Sequence, residues 1–148
     1  MMVGRMRRAA VVGALGSLLL GVGSASAEIR IQRDFGGQIG PYLYRFAMVR
    51  EAGHRVVIDG PCLSACTLAL GVIPRDRICV TENAVLGFHA AWMPGQDGRP
   101  HTSSGGTRLL MAIYPPKVRD WIRRRGGLHT KTIFLRGREL LALYPPCS

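Results

Sequence analysis

Between residues 55 and 72 the chain reads as a strand, a sharp turn and a small-residue helix. This unit constrains the fold more than any other stretch. Val56-Val57-Ile58 is a continuous apolar run bounded by turn residues, the pattern of a buried parallel strand. Gly60-Pro61 breaks it. From Leu63 to Val72, with Ala65, Leu68, Ala69 and Leu70, the spacing predicts a small apolar helix that Pro74 ends. The flanking sequence repeats the theme. Glu28–Gln32 alternates polar and apolar residues, as a half-buried strand does. Ile39, Tyr42, Leu43, Phe46, Ala47 and Val49 recur at helical spacing up to Glu51, and Gly53 stops them. Arg77–Val80 and Ala84–Phe88 read as further strands. Leu109–Tyr114 and Lys117–Arg125 read as helices divided by Pro115-Pro116, with Gly126-Gly127 ending the second. Thr132–Leu135 reads as a short strand before a last helical turn at Arg138–Leu143. Residues 93–106 are rich in Gly, Pro, Ser and Thr and predict a loop that can act as a flap. Strand–helix alternation without an internal repeat predicts one α/β layered domain.

Residues 1–27 read as a leader outside that domain. Arg5, Arg7 and Arg8 form a basic start, an apolar stretch runs from Ala9 to about Val22, and Ser24-Ala25-Ser26-Ala27 carries an A-x-A cleavage pattern. This is the signature of a secretory signal peptide. The apolar run falls short of the roughly 20 residues that span a bilayer, which argues against a membrane anchor. No cysteine sits at the cleavage point, which argues against a lipid anchor, and Arg7-Arg8 leaves twin-arginine export open. The predicted domain is therefore 28–148, in the periplasm or secreted. The chain carries a net charge of +11, and loss of the three leader arginines leaves +8. Arg119, Arg123, Arg124, Arg125, Lys131, Arg136 and Arg138 concentrate that charge near the C-terminus. Such a face suits nucleic acid, anionic lipid or an acidic partner, or is simply a solvated helix surface. No nucleic-acid motif accompanies it and export argues against DNA, so a solvated helix surface is the favoured reading and an anionic surface contact the alternative.

All four cysteines, Cys62, Cys66, Cys79 and Cys147, fall within 28–148. An even number in an exported small domain predicts two disulfides, with three connectivities open. The spacing does not match a zinc pattern, so neither a metal nor another cofactor is expected. The preferred pairing is Cys66–Cys79 with Cys62–Cys147. It would tie the helix after Gly60-Pro61 to the next strand and pin the C-terminal tail near the turn.

Two residues in this frame carry chemistry. Ser64 lies where the Val56–Asp59 strand turns into a helix, and His89 follows the Ala84–Phe88 strand. A serine hydroxyl needs a base to take its proton and backbone donors to hold the oxyanion it creates. The Ala65 N–H lies in a first helical turn and is free for that task. Gly36-Gly37 follows the first strand, and glycine lets backbone approach a ligand closely. Each residue alone has a plainer reading: Ser64 as a helix cap, His89 as a core histidine, Gly36-Gly37 as a turn.

Together they resemble a known family. GlyGly after a strand, Gly-x-x-x-Ser-small opening an apolar helix, and a strand ending in His 25 residues after the Ser are similar to the Clp protease proteolytic subunit. That subunit belongs to the wider Clp protease/crotonase superfamily. The chain resembles still more closely the secreted, cysteine-bearing bacterial Clp-like proteins. The resemblance runs from about Ile29 to Leu143 and is tightest over residues 36–89. It implies a Clp/crotonase-like layered fold, with Ser64 as nucleophile, His89 as base, and the N–H groups of Gly37 and Ala65 as the oxyanion hole. It also matches 107–114 to the helix through which Clp rings stack, so a homo-oligomer is among the implied partners. Three departures stand out. Thr132 occupies the position of the family's catalytic Asp, two residues before Phe134-Leu135, and becomes the implied third member. Asp34, Asp59 and Asp97 are the other substitutes. Asp34-Phe35-Gly36-Gly37 replaces Ser-Pro-Gly-Gly. The implied fold is truncated at its N-terminal strand–helix unit, ahead of Ile29, which exposes a sheet edge or frees it for association.

The leading expectation is thus an exported serine hydrolase acting on peptides or proteins, which would bind as an extended strand beside Gly36-Gly37. The alternative is a catalytically inactive Clp-like module for binding or assembly that uses its basic C-terminal surface. Acyl-CoA chemistry is disfavoured by export and by the lack of an adenine site. Thiol redox chemistry is disfavoured because Cys62 and Cys66 do not meet the C-x-x-C spacing.

Overall fold

The computed structural model describes residues 26–148, a mixed α/β domain. Residues 1–25 of the predicted leader lie outside the described residues. The chain lays strands alternately into two small sheets. β1 (Glu28–Ile31), β2 (Arg55–Ile58) and β4 (Ile78–Val80) form the first, in the order β1-β2-β4 and all parallel. β3 (Pro61–Leu63), β5 (Val85–Phe88) and β8 (Ile133–Arg136) form the second, in the order β3-β5-β8. There β3 and β5 are parallel, and β8 is antiparallel to β5. Each pass crosses from the first sheet to the second within a few residues. β1 runs on to Asp34, which bridges Cys62; β2 runs on to β3, and β4 to β5. The order of strands is therefore the same in both sheets.

Helix α1 (Ile39–Glu51) returns the chain from the first pass to β2. After β3 the return is a 3-10 helix, Ser64–Leu68, followed by one turn of α-helix, α2 (Ala69–Val72). The predicted single helix from Leu63 thus loses Leu63 to β3 and winds more tightly through its first five residues. That winding lets Thr67 Oγ1 donate to the carbonyl of Ser64 three residues back. Beyond β5, residues predicted as loop form an exposed hairpin, β6 (Trp92–Pro94) and β7 (Pro100–Thr102), and α3 already begins at Ser104 (Ser104–Ile113). The hairpin escaped sequence reading because every residue in both strands is exposed. No apolar alternation marks a strand that buries neither face. α4 (Pro116–Arg124) and α5 (Gly137–Leu141) complete the element order around β8.

The core joins the two sheets to the helices. Phe46, Ile58, Leu68, Leu86, Phe88, Ile122 and Leu135 are fully enclosed. Each contributes roughly 1.5–3 kcal/mol by leaving water. Phe88 at the end of β5 meets Tyr114 edge-on at 5.3 Å between ring centroids and Trp121 at 5.7 Å. These contacts seat the end of α3 and the middle of α4 against the second sheet.

The disulfides correct the expected pairing. Cys62 bonds Cys66, and Cys79 bonds Cys147. Cys62 belongs to β3 of the second sheet, whereas Cys79 lies in β4 of the first. Crossing between sheets carries the chain away from Cys66 before Cys79 is reached. The tail instead runs along β4: Val80 N–H donates to Pro145 O, and Cys147 N–H donates to Val80 O. Cys79 and Cys147 are therefore neighbours, and Cys62 and Cys66 close over the turn that holds Ser64.

The basic C-terminal region is partly neutralised. Arg125 pairs with Glu139, Arg123 with Asp120, and Arg119 donates to Tyr114 O. Arg124, Lys131, Arg136 and Arg138 are exposed and make no ion pair among the described residues. No helix among the described residues is long and apolar enough to cross a membrane.

Candidate active site

Strand polarity brings the predicted site residues to one edge of the second sheet. The parallel strands β3 and β5 end together, so Ser64 and His89 emerge from neighbouring strand ends. β8 runs the other way, so its start lies at that same edge. Its register pairs Phe88 with Ile133, which sets Thr132 opposite His89. The Asp34–Cys62 bridge places the Asp34-to-Gly37 turn on the far side of β3. Ligands of open α/β sheets collect at such carboxyl ends.

Ser64 is the only non-glycine among the described residues with positive φ, at 55°. A β-carbon in this region costs on the order of 1–3 kcal/mol. The position of the helix cap is taken by Leu63, so capping does not account for Ser64. Several contacts hold the strained turn. Thr67, wholly buried, gives its hydroxyl proton to Ser64 O at 2.6 Å. The Tyr114 hydroxyl lies 2.6 Å from the same Thr67 oxygen. Thr67 has one proton and a carbonyl has none, so Tyr114 must donate to Thr67. A buried relay thus runs from α3 through Thr67 to the carbonyl of Ser64. Burial pushes the Tyr114 phenol up to about 12. It stays protonated and keeps donating through the physiological range. The Cys62–Cys66 bridge spans the turn.

Gly36 presses against Ser64 with φ of +84°. A β-carbon there would stand 2.5 Å from Leu63 O and Ser64 Cβ and 2.8 Å from Ala65 N. Only glycine lets this backbone come so close. Asp34 shapes the turn: its Oδ1 accepts from the Gly36 N–H at 2.9 Å and from the Tyr42 hydroxyl, and Arg45 pairs with its Oδ2. Partial burial and the hydrogen bond to Asp34 push the Tyr42 phenol up to about 12.

The His89 ring is oriented by backbone. Its Nδ1 lies 2.8 Å from Ala90 O. A carbonyl only accepts, so Nδ1 carries the proton and Nε2 of the neutral ring is left with its lone pair. That carbonyl is itself held in place: Ala90 N–H donates to His129 O, Ala91 N–H to Thr107 Oγ1, and Ser103 N–H to Ala91 O. Thr132 makes no hydrogen bond to His89. Of the other acids, Asp34 serves the glycine turn, Asp59 accepts from Thr81, Asn83 and Arg30, and Asp97 accepts from His101 and Arg99. Among the described residues no carboxylate bonds the imidazole.

Ser64 and His89 share a cavity of about 730 Å³ without a hydrogen bond between them. Its floor includes Gly36, Gly37 and Ala65, and its walls are mainly apolar: Phe35, Ile39, Trp92, Met93, Leu110 and Tyr114. Trp92 and Met93 of the hairpin line the cavity and are more than half exposed, so this wall borders solvent. Among the described residues no cluster of His, Cys, Asp or Glu has the arrangement to hold a metal. No protein-family model matches the chain, and no curated protein matches it.

Several contributors were missed from sequence. Thr67 had one legible signal: a lone hydroxyl three residues after Ser64 inside an apolar run. Tyr114, Tyr42 and the Ala90 carbonyl had none, because each acts across a tertiary contact or through backbone; Asp34 was named as a substitute acid for His89, whereas it shapes the glycine turn.

Proposed function

We propose that the chain is an exported serine hydrolase acting on peptides. Ser64 is the nucleophile, His89 its base, and the N–H groups of Gly37 and Ala65 the oxyanion donors. One observation carries this reading. A serine held in the left-handed region at a strand end shares a cavity with a histidine whose Nδ1 is committed to a carbonyl. Backbone strain of this kind gathers at functional sites, and a capping serine needs none of it.

The chemistry follows from these groups. A substrate carbonyl enters beside Ser64, Nε2 of His89 takes the hydroxyl proton, and Oγ attacks. Charge developing on the carbonyl oxygen is met by the two N–H groups. Loss of the triad carboxylate in a serine protease costs about 10⁴-fold, with the wrong imidazole tautomer as the cause. Here the Ala90 carbonyl keeps the tautomer, the part of the carboxylate's role whose loss is the costly one. The shared strand order of the two sheets supports a Clp/crotonase-like layered fold. The two disulfides support export by the signal peptide, since such bonds persist in oxidising compartments. The test is labelling of the oxidised protein with a fluorophosphonate probe. Wild type is expected to label at Ser64 and Ser64→Ala not at all; an unlabelled, folded wild type sinks the proposal.

A second reading has its own support. His89 has no carboxylate, and Arg124, Lys131, Arg136 and Arg138 have no ion-pair partner among the described residues. A non-catalytic module would use these cations on an anionic surface or in self-assembly. Reversing their charge would then abolish binding to anionic vesicles at low salt, while Ser64→Ala would leave it intact.

A further inference from the structure

His89, Trp92 and Pro94 also line a second cavity, about 490 Å³, in whose wall Ser64 takes no part. Its other walls include Thr102, Thr130, Thr132 and Pro100. The hydroxyls of the three threonines make no side-chain hydrogen bond among the described residues. Among the described residues His89 is the only titratable side chain in this wall. The nearby Asp97 and His101 are spent on each other at 2.9 Å within the hairpin.

We infer that this second cavity is the leaving-group subsite, and that it takes an uncharged, hydroxyl-bearing residue on the C-terminal side of the scissile bond. The inference rests on the Ser64–His89 reading above. The acyl half of a substrate must lie by Ser64 and the glycine turn, in the first cavity. When the Ser64 Oγ–carbon bond has formed, the carbon–nitrogen bond breaks. The departing nitrogen takes the proton that His89 removed from Ser64. The leaving half must therefore be within reach of His89 on a side that Ser64 does not occupy, and His89 is common to both cavities. In deacylation a water or an added amine enters the same space. It gives its proton to His89, bonds to the acyl carbon, and Ser64 regains its proton as its bond to that carbon breaks. Three free hydroxyls without a charged companion favour a ligand that both donates and accepts hydrogen bonds, and give a charged side chain no partner.

Partitioning of the acyl-enzyme isolates this site from acylation. Acetyl-phenylalanine methyl ester would acylate Ser64, and amino-acid amides added as acceptors would compete with water. Threoninamide and valinamide have the same shape and differ by one hydroxyl. Threoninamide is expected to capture the acyl group roughly 2- to 10-fold better, the range of a single neutral hydrogen bond. Argininamide and aspartic acid amide are expected to capture less than threoninamide. Thr130→Val and Thr132→Val, which remove a hydroxyl and keep the shape, should bring the ratio of threoninamide to valinamide capture down to about one, and it is this ratio rather than the total rate that is read. Fluorophosphonate labelling is read alongside. If wild type labels but treats threoninamide and valinamide alike, or if the valine variants keep the preference, the subsite is wrong and the nucleophile stands. If folded wild type does not label, both fall together.

Discussion

Gly36→Ala and Gly37→Ala form a matched pair that tests how the glycine turn supports Ser64. The two positions are adjacent, yet the structure treats them differently. At Gly36, φ is +84° and an added methyl would meet the Leu63 carbonyl and Ser64 Cβ at 2.5 Å. The left-handed conformation alone costs about 1–2 kcal/mol for a residue with a β-carbon. Crowding against backbone that cannot swing aside adds roughly 1–3 kcal/mol. A combined loss of about 2–5 kcal/mol is a large share of the roughly 5–15 kcal/mol that holds a domain together. At Gly37 the nearest atom to an added methyl is Tyr42 Cε2 at 3.4 Å, an ordinary contact, and φ is not in the left-handed region. That substitution should cost well under about 1 kcal/mol and leave the backbone N–H in place. Urea unfolding of the oxidised proteins measures the first difference, and the rate of fluorophosphonate labelling the second. Gly36→Ala should be strongly destabilised and should not label; Gly37→Ala should melt and label much as wild type does. Equal stability of the two variants would refute the close approach of Gly36 to Ser64. A fully labelled Gly36→Ala would show that the approach has no bearing on the nucleophile.

Three further outcomes are expected. Removing Cys79–Cys147, which spans 68 residues, should cost roughly 4 kcal/mol by the chain-entropy model, against roughly 2 kcal/mol for Cys62–Cys66, which spans 4. Labelling should show the reverse sensitivity, since only the short bridge encloses Ser64; chemical denaturation and probe kinetics of Cys→Ala pairs read both. Thr67→Val leaves the buried Tyr114 hydroxyl without a partner and should cost about 1–3 kcal/mol. Adding Tyr114→Phe should recover part of that loss, and strictly additive costs in the double-mutant cycle would break the relay. Stability should also fall at both ends of the pH scale. Hydrogen bonds from Thr81, Asn83 and Arg30 hold Asp59 below its usual value, so its contribution is present above about pH 4 and is lost as pH falls through the lower folded value. Burial raises Tyr114 and Tyr144 to about 12, so their contribution is present below about pH 10 and is lost as pH climbs from there to about 12. Asp59→Asn should flatten the acid limb of a denaturation series and leave the alkaline limb alone.

Local signals carried much of the architecture. Val56-Val57-Ile58, the helical spacing after Ile39, and Pro116 in the first turn of α4 each declared an element, because burial and proline geometry act within a few residues. The two-sheet arrangement was not legible. The breaks at Gly60-Pro61 and Asn83 read only as turns, and nothing in a short apolar run says which of two sheets it joins. The disulfide error has the same root: Cys66 and Cys79 look like neighbours along the chain and stand in different layers of it. The hairpin at 92–102 was hidden because neither of its faces is buried.

The sequence alone was enough to nominate Ser64, His89, Gly37 and Ala65. A small-residue turn after an apolar strand, a histidine after the next strand, and paired glycines are local patterns. The resemblance to Clp-like proteins added the expectation that Thr132 stands in place of a carboxylate. What orients the histidine instead could be decided only in three dimensions. The orienting group is the Ala90 carbonyl, which every residue possesses and which no residue type announces. The same holds for the strain at Ser64. Its positive φ sits among constraints of two kinds: Gly36 and Tyr114 reach the turn from other segments, while Thr67 and the Cys62–Cys66 bridge flank it locally.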